Sequence, residues 1–230
     1  MITLSRLIGL LQVDSTVGDL TGNASRIETL CELAHENGAS LAVSTELAIS
    51  GYPPRDLLLQ PDFIKMSQHQ ASSLSVKIPV LVGTPVSPVS ERQLPGNGVV
   101  RAGPLSSHPN GKHTNRVVAR KQLLPSYDVF DETRYFQASN RSGICRTIGD
   151  LDLGVTICED AWQAAGMTPS EYGIDPIENL AELVRQGIEL DVTVNLSASP
   201  YHADKVGTRI QVCRTAAKVL NHPFLLANQV

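Results

Sequence analysis

One unit recurs along this chain: an amphipathic helix, a glycine, a short apolar strand and then a polar residue. In the first copy, Asn23 stands where an N-cap is expected, and the apolar side chains that follow share one helical face. Gly38 ends this helix, a strand covers Leu41–Val43, and Glu46 comes just after it. Such a helix buries its apolar face against a sheet, which restricts the chain to layered α/β folds.

The second and third copies keep the same order. Asp175 caps a helix that Gly187 ends, and Asn195 follows a strand over Leu190–Val194. The third copy ends in a strand over Pro223–Ala227. Its predicted buried helical face consists of Val206, Ile210, Cys213, Ala217 and Leu220. Helices that alternate with strands in this way predict an α/β domain.

Polar side chains stand at the ends of several predicted strands. Further strands are expected over residues 7–13, 78–83, 117–120 and 153–157. Lys121 follows the third of these strands and Cys158 the fourth, as Glu46 and Asn195 follow theirs. Functional groups in α/β folds gather at the C-terminal ends of strands. We therefore expect these four side chains to converge on one rim.

Residues 86–115 have a different composition from the rest of the chain. They contain four Gly and four Pro in thirty residues, about twice the density of the whole sequence. This predicts a long loop or a poorly ordered connection.

The overall composition excludes several classes of protein. The 230 residues are 42% hydrophobic and 18% charged with a net charge of -4, which predicts a globular chain and argues against a nucleic-acid partner. The four cysteines form no CxxC pair and none lies near a histidine at zinc-ligand spacing, so we expect no metal site and a reducing compartment. The sequence shows no signal peptide and no apolar run of about 20 residues, so we expect a cytoplasmic protein without a membrane partner.

Cys158, Lys121 and Glu46 form a set that suits the hydrolysis of a carboxamide. A thiolate is the nucleophilic form of cysteine, and a nearby ammonium favours it. A carboxylate can take the thiol proton, deliver it to a leaving amine and then activate water. The lysine and a backbone N–H just after Cys158 can hold the oxyanion, each donor contributing about 3–4 kcal/mol.

Each of the three residues also has an ordinary structural interpretation. Cys158 can be a buried thiol that acts as a small hydrophobe. Glu46 can be a solvated acid at a strand end, and Lys121 can be a surface charge. Spacing alone leaves both interpretations open.

Several segments resemble the glutaminase domain of glutamine-dependent NAD synthetases, a branch of the nitrilase (carbon–nitrogen hydrolase) superfamily. The matching segments, in the family's order, are TVGDLTGNASRI, STELAISGYPPRDLLLQPDF, RKQLLPSYDVFDETRYF, GVTICEDAW, NLSASPYHADK and LLANQV. The resemblance implies a four-layer αββα sandwich of the nitrilase type. It implies a catalytic triad in which Glu46 is the general base, Lys121 holds the oxyanion and Cys158 is the nucleophile. The N–H of Glu159 is then the second oxyanion donor.

The resemblance also implies residues that bind glutamine, namely Tyr127, Glu132, Ser199 and Lys205. A carboxyl such as Glu132 can meet the α-ammonium of the substrate or brace the lysine. A hydroxyl and a cation can meet its α-carboxylate. The alternatives are a packing role for Tyr127 and a solvated position for Lys205.

In the family, ammonia passes to a second domain on the same chain, which uses ATP and magnesium to amidate deamido-NAD. The SGGxDS phosphate loop of that domain does not occur here. We therefore expect residues 1–230 to be a glutaminase domain that is truncated at its C-terminus, needs no cofactor for its own step, and partners an NAD synthetase domain. The family also implies a homo-oligomer. Residues 86–115 depart from the family's pair of strands with a YNAA-like segment, through either a divergent loop or a local sequence error.

Three hypotheses follow. The main one is a glutamine amidohydrolase that serves NAD synthesis. The second is a free-standing amidase for another small carboxamide, and the third is a catalytically silent assembly module. A substrate panel and thiol labelling distinguish them.

Overall fold

The computed structural model describes residues 6–104, 117–148, 151–203 and 205–230. The strands in these ranges are β1 Leu7–Leu10, β2 Ala39–Val43, β3 Val80–Val86, β4 Gly96–Ala102, β5 Val117–Arg120, β6 Gly143–Ile148, β7 Leu151–Ile157, β8 Val192–Ser197 and β9 Phe224–Asn228. The α-helices are α1 Leu20–Glu36, α2 Pro61–Ser72, α3 Pro176–Arg185 and α4 Lys205–Leu220. Short 3-10 helices cover Arg55–Leu59, Glu132–Arg134, Cys158–Ala161 and Gln163–Ala165. None of the helices in the described ranges is long and apolar enough to cross a bilayer.

The strands form two sheets. The first has the order β1-β2-β3-β4-β5, with parallel pairs from β1 to β3 and antiparallel pairs from β3 to β5. The second has the order β6-β7-β8-β9, antiparallel between β6 and β7 and parallel from β7 to β9. In the first sheet, β2 and β5 therefore run in the same direction, and their C-terminal ends share one edge. The parallel strands β7 and β8 likewise end together in the second sheet.

The sheets pack face to face and each carries helices on its outer side. Apolar side chains of β2 and β3 meet those of β7 and β8 in one cluster between the sheets. The first sheet and α1 share a second cluster, and α3 and α4 pack together in a third beside the second sheet. The predicted four-layer αββα arrangement is confirmed.

The prediction of a loop over residues 86–115 is wrong for β4. This strand pairs with β3 along its whole length, from Val80↔Ala102 to Val86↔Gly96. Its glycines are packing positions, because a Cβ at Gly98 would lie 2.7 Å from a methyl of Val86. Composition indicated a loop where glycine instead allows close contact. The prediction is confirmed for residues 87–95, which connect β3 to β4 without a helix or strand, and its part over residues 105–115 lies outside the described residues.

Two helix predictions are also corrected. Helix α1 begins earlier than predicted, with Asp19 as the N-cap that accepts a hydrogen bond from the N–H of Gly22. Asn23 lies inside the helix, and its side chain binds the backbone of Thr16 and Ile49. A buried amide that satisfies a neighbouring loop is thus easily mistaken for a cap.

In α4, the buried residues are Val212, Ala216 and Leu220, and the predicted face is only partly correct. Val206 and Ile210 are 55% and 45% exposed. Of the other predicted residues, Leu220 is buried, while Cys213 and Ala217 are half-buried. By contrast, the predicted cap of α3 is confirmed, since Asp175 accepts hydrogen bonds from two backbone N–H groups.

Candidate active site

Glu46 lies in a tight turn that follows β2, and its carboxylate is buried. One oxygen accepts hydrogen bonds from Lys121 Nζ at 2.7 Å and from Asn97 Nδ2 at 2.8 Å. The other accepts from the backbone N–H of Ala198 at 3.0 Å. These donors come from both sheets, so the carboxylate is held in one orientation at the edge where the strands end.

Lys121 directly follows β5 and is buried between two carboxylates. Its ammonium donates to Glu46 at 2.7 Å and to Glu132 at 2.8 Å. Burial alone would lower the pKa of this ammonium, but Glu132 and Glu46 outweigh that effect and hold the pKa well above its ordinary value. Lys121 therefore remains a fixed positive charge at neutral pH.

Glu132 braces the lysine from the side opposite to Glu46. Its carboxylate accepts hydrogen bonds from Lys121 Nζ and from the hydroxyl of Tyr52 at 2.9 Å. Burial raises the pKa of Glu132 to about 7, and Lys121 works against that rise. Glu132 and Tyr52 together line a cavity of about 170 Å³. Of the two roles that the sequence left open for Glu132, this geometry supports the brace.

Cys158 is the first residue after β7 and has a strained backbone. Its φ is 45°, a left-handed value that a residue with a side chain rarely adopts. The side chain of Asn195 donates to the carbonyl of Cys158 at 3.3 Å and to the hydroxyl of Thr156 at 3.0 Å. Strain of this kind persists only where the surroundings hold it, and it occurs often at active sites.

The charges around Cys158 determine the state of its thiol. Burial raises the pKa of the thiol, Glu46 raises it further, and Lys121 lowers it. The balance lies above the ordinary value, so the resting side chain is a neutral thiol at neutral pH. A reaction at this sulfur therefore needs a base close by, and Glu46 is the carboxylate whose charge acts on it most strongly.

Glu159 follows Cys158 and directs its carboxylate to two tyrosines. It accepts hydrogen bonds from the hydroxyl of Tyr127 at 2.8 Å and from that of Tyr172 at 3.4 Å. Burial raises the pKa of this carboxyl, and the bond from Tyr127 opposes the rise. Its backbone N–H belongs to the first turn of a 3-10 helix, where N–H groups have no acceptor within the helix.

Ser199 and Lys205 lie on the connection from β8 into α4. Ser199 is buried, its N–H donates to Asn228 at 3.0 Å, and its carbonyl accepts from Arg209 at 2.7 Å. The ammonium of Lys205 lies 5.1 Å from the centre of the Trp162 ring. Burial lowers the pKa of Lys205, and electrostatic interactions with Cys158 and Glu159 oppose that effect.

Sequence reasoning missed several residues of this site. Asn97 donates to Glu46 but lies in the stretch that was predicted to be a loop. Tyr52 and Tyr172 reach the site from loops, where no periodic pattern in the sequence indicates which side chains face the site. Within the described ranges, no group of three or more His, Cys, Asp or Glu side chains is arranged to hold a metal ion.

A four-layer sandwich with a buried thiol, carboxylate and ammonium where its strands end has the fold and the polar site of a hydrolase. The chain belongs to the carbon–nitrogen hydrolase family, whose family model matches residues 7–230. It is 37% identical over 229 residues to a glutamine-dependent NAD(+) synthetase of Synechocystis sp., covering 97% of this chain and 39% of that protein. A glutamine-dependent NAD(+) synthetase of Thermotoga maritima is 34% identical over 207 residues, covering 86% and 31%.

Solved structures show the same fold. The glutamine-dependent NAD+ synthetase of Acinetobacter baumannii in complex with ADP matches with a TM-score of 0.75 and 28% identity, covering 97% of this chain and 38% of that chain. An amidase from Nesterenkonia sp. matches with a TM-score of 0.67 and 17% identity, covering 96% and 75%. The predicted nitrilase-type fold is thereby confirmed. The chain spans well under half the length of the synthetases that it matches.

Proposed function

We propose that this chain is the glutaminase part of a glutamine-dependent NAD synthetase and releases ammonia from L-glutamine through a thioester on Cys158. The observation that carries the proposal is the buried contact of Glu46 with Lys121 beside the Cys158 thiol. The similarity to NAD synthetases over 97% of the chain supports glutamine as the substrate.

In the first half of the reaction, Glu46 takes the thiol proton as the sulfur attacks the carboxamide carbon. The carbonyl oxygen becomes an oxyanion, which Lys121 Nζ and the N–H of Glu159 hold. The C–N bond then breaks, Glu46 returns the proton to the nitrogen, and ammonia leaves a thioester on Cys158. The ammonium of Lys121 stabilises charge throughout because its raised pKa keeps it protonated.

In the second half, Glu46 takes a proton from water, and the hydroxide attacks the thioester carbon. The same two donors hold the second oxyanion. The C–S bond breaks, the sulfur regains the proton from Glu46, and glutamate leaves. The net change is glutamine plus water to glutamate plus ammonia.

Polar residues around the thiol supply the expected contacts for the rest of the substrate. Lys205 and Ser199 are suited to the α-carboxylate. The buried carboxylate of Glu159, oriented by Tyr127, is suited to the α-ammonium. Glu132 stays with Lys121 and does not contact substrate in this proposal.

The proposed step uses no metal and no organic cofactor. ATP and magnesium belong to the partner NAD synthetase domain, which consumes the ammonia for amidation of deamido-NAD. We further propose a cytoplasmic homo-oligomer, as the resemblance to the family implies.

The test is ammonia release from L-glutamine by the purified chain beside Cys158→Ala. We expect the wild type to release ammonia and the variant to be at background, because the variant has no sulfur to form the thioester. Cys213→Ala is the matched control, since Cys213 is a half-buried thiol on α4, and it should retain activity.

Turnover by Cys158→Ala above background would refute the mechanism. A wild type that hydrolyses another small carboxamide faster than glutamine would favour the free-standing amidase. A folded wild type that hydrolyses no carboxamide in the panel would favour the silent module.

A further inference from the structure

Asp160 is a buried carboxylate two residues after Cys158 that the mechanism above does not use. It is 1% exposed, and its two oxygens accept three hydrogen bonds, all from backbone N–H groups. One oxygen accepts from Gln122 at 2.9 Å and from Leu123 at 2.8 Å. The other accepts from Ile157 at 3.0 Å.

The positions of these donors matter more than their number. Gln122 and Leu123 come directly after Lys121, at the end of a strand in the first sheet. Ile157 comes directly before Cys158, at the end of a strand in the second sheet. One side chain therefore joins the two segments that carry the lysine and the nucleophile, across the boundary between the sheets.

Both joined segments need such a restraint. Cys158 has the left-handed φ of 45°, and a strained residue keeps its conformation only where its neighbours hold it. Lys121 is the first residue beyond β5, and its N–H still donates to the carbonyl of Asn97 in β4. The next two N–H groups have Asp160 as their acceptor.

We propose that Asp160 is a positioning residue, which holds the ammonium of Lys121 in register with the sulfur of Cys158 by binding the backbone on both sides. The proposal rests on the proposed function and adds to it. Asp160 does not touch the reacting atoms. Its effect on the reaction comes from keeping the distance between Lys121 and Cys158 fixed.

Asp160→Asn tests the proposal because it keeps the shape and replaces one acceptor oxygen by a donor NH2. At least one backbone N–H then faces a donor, and the two segments separate. We expect kcat for glutamine to fall about 100-fold, as expected for a displacement of about 1 Å, with KM changed far less. Asp175→Asn is the matched control, because Asp175 also accepts two backbone N–H groups but lies at the start of α3. It should keep wild-type turnover.

Alkylation by iodoacetamide gives a second readout that does not depend on the substrate. If Lys121 moves away from Cys158, the thiol pKa rises, and a rise of about one unit lowers the alkylation rate of Cys158 at pH 7 about tenfold. Cys31 and Cys145 are buried elsewhere, and their labelling reports general loosening. The proposal requires slower labelling of Cys158 with no faster labelling of the other two. In a Lys121→Met background, Asp160→Asn should add little further loss.

Wild-type kcat and wild-type Cys158 labelling in Asp160→Asn would overturn the proposal. The proposal would also be overturned if Asp160→Asn labelled faster at Cys31 and Cys145 and lost activity only in proportion to the unfolded protein. That result would mean that Asp160 has a purely structural role. If Asp160→Asn does not fold, Asp160→Ser takes the same measurements with the same criteria. A different outcome separates the two proposals. If the wild type hydrolyses no glutamine but Asp160→Asn still slows the labelling of Cys158, the positioning role is upheld and the glutaminase assignment is refuted.

Discussion

At the scale of single residues, the site is a lysine placed between two carboxylates. Each of these charges would be costly to bury alone, and the removal of one partner from a buried pair costs about 3–5 kcal/mol. Here Lys121 bonds to both Glu46 and Glu132, while Asn97 and Tyr52 supply further donors. The ammonium is thus fixed in place before any substrate arrives, which is how preorganised donors lower a barrier.

Lys121→Met is expected to lower kcat at least about 100-fold, because the proposed oxyanion donor is lost and two buried carboxylates lose their cation. The measurement is steady-state ammonia release, normalised to the folded fraction by circular dichroism. Lys65→Met is the control, since the side chain of Lys65 is 71% exposed on α2. A change in kcat within twofold for Lys121→Met would argue against an oxyanion role.

At the scale of elements, the turn after β2 depends on a close approach by β3. A Cβ at Gly83 would lie 2.2 Å from the carbonyl oxygen of Thr45 and 2.9 Å from the Cα of Glu46. Leu47, next to Glu46, has a left-handed φ of 47°. The strand thus lies directly against the backbone of Glu46, the proposed base, and glycine is what allows the contact.

Gly83→Ala is expected to lower both the melting temperature and glutamine turnover, because the added methyl displaces the Glu46 turn. Gly173→Ala is the matched control, since a Cβ there would meet no atom within 4 Å. Thermal unfolding and ammonia release are measured on both variants. Equal melting temperatures and equal turnover in the two variants would show that the turn can shift without consequence for the site.

At the scale of the whole molecule, the packing of two sheets assembles the site and buries several carboxyl groups. Asp160 lies fully buried where the sheets meet, and burial raises its pKa to about 7, although three backbone N–H groups oppose the rise. Burial likewise raises the pKa of Glu132 to about 7. Both carboxyls therefore titrate at higher pH in the folded chain than in the unfolded one.

This difference predicts how stability depends on pH. A carboxyl with a raised folded pKa binds its proton more tightly when folded, so it favours the native state most below its unfolded pKa of about 4. The contribution of Asp160 and Glu132 to the free energy of unfolding should fall as the pH rises from about 4 to about 7 and then level off. Urea unfolding across that range measures it.

Asp160→Asn should make this pH dependence shallower, because one of the two titrating groups is gone. Asp62→Asn is the control, since the side chain of Asp62 is 89% exposed, and its curve should run parallel to that of the wild type. A slope in Asp160→Asn equal to that of the wild type would show that Asp160 does not titrate in this range.

Much of the fold could be predicted from the sequence because local signals carry it. The cap at Asp175, the glycines at 38 and 187 and the strand over Val117–Arg120 follow from short-range rules on capping, φ and burial. Strand β6 and helix α2 were not predicted, and β4 was taken for a loop, because their sequences mix apolar residues with Gly, Ser or Arg. Tertiary pairing overrides local composition in such segments.

The sequence by itself determined the layered α/β architecture and which residue types were available for chemistry, because periodicity and side-chain identity are local properties. Only the tertiary structure decided that Glu132 braces Lys121, that Asn97 and Tyr52 join the site, and that Asp160 links Gln122 to Ile157. Asn97 and Tyr52 lie 51 and 80 positions from the carboxylates that they bind, and Gln122 lies 38 positions from Asp160. The geometry of such contacts depends on how two twisted sheets meet. No spacing in a linear chain encodes that meeting, since it results from the packing of the whole core.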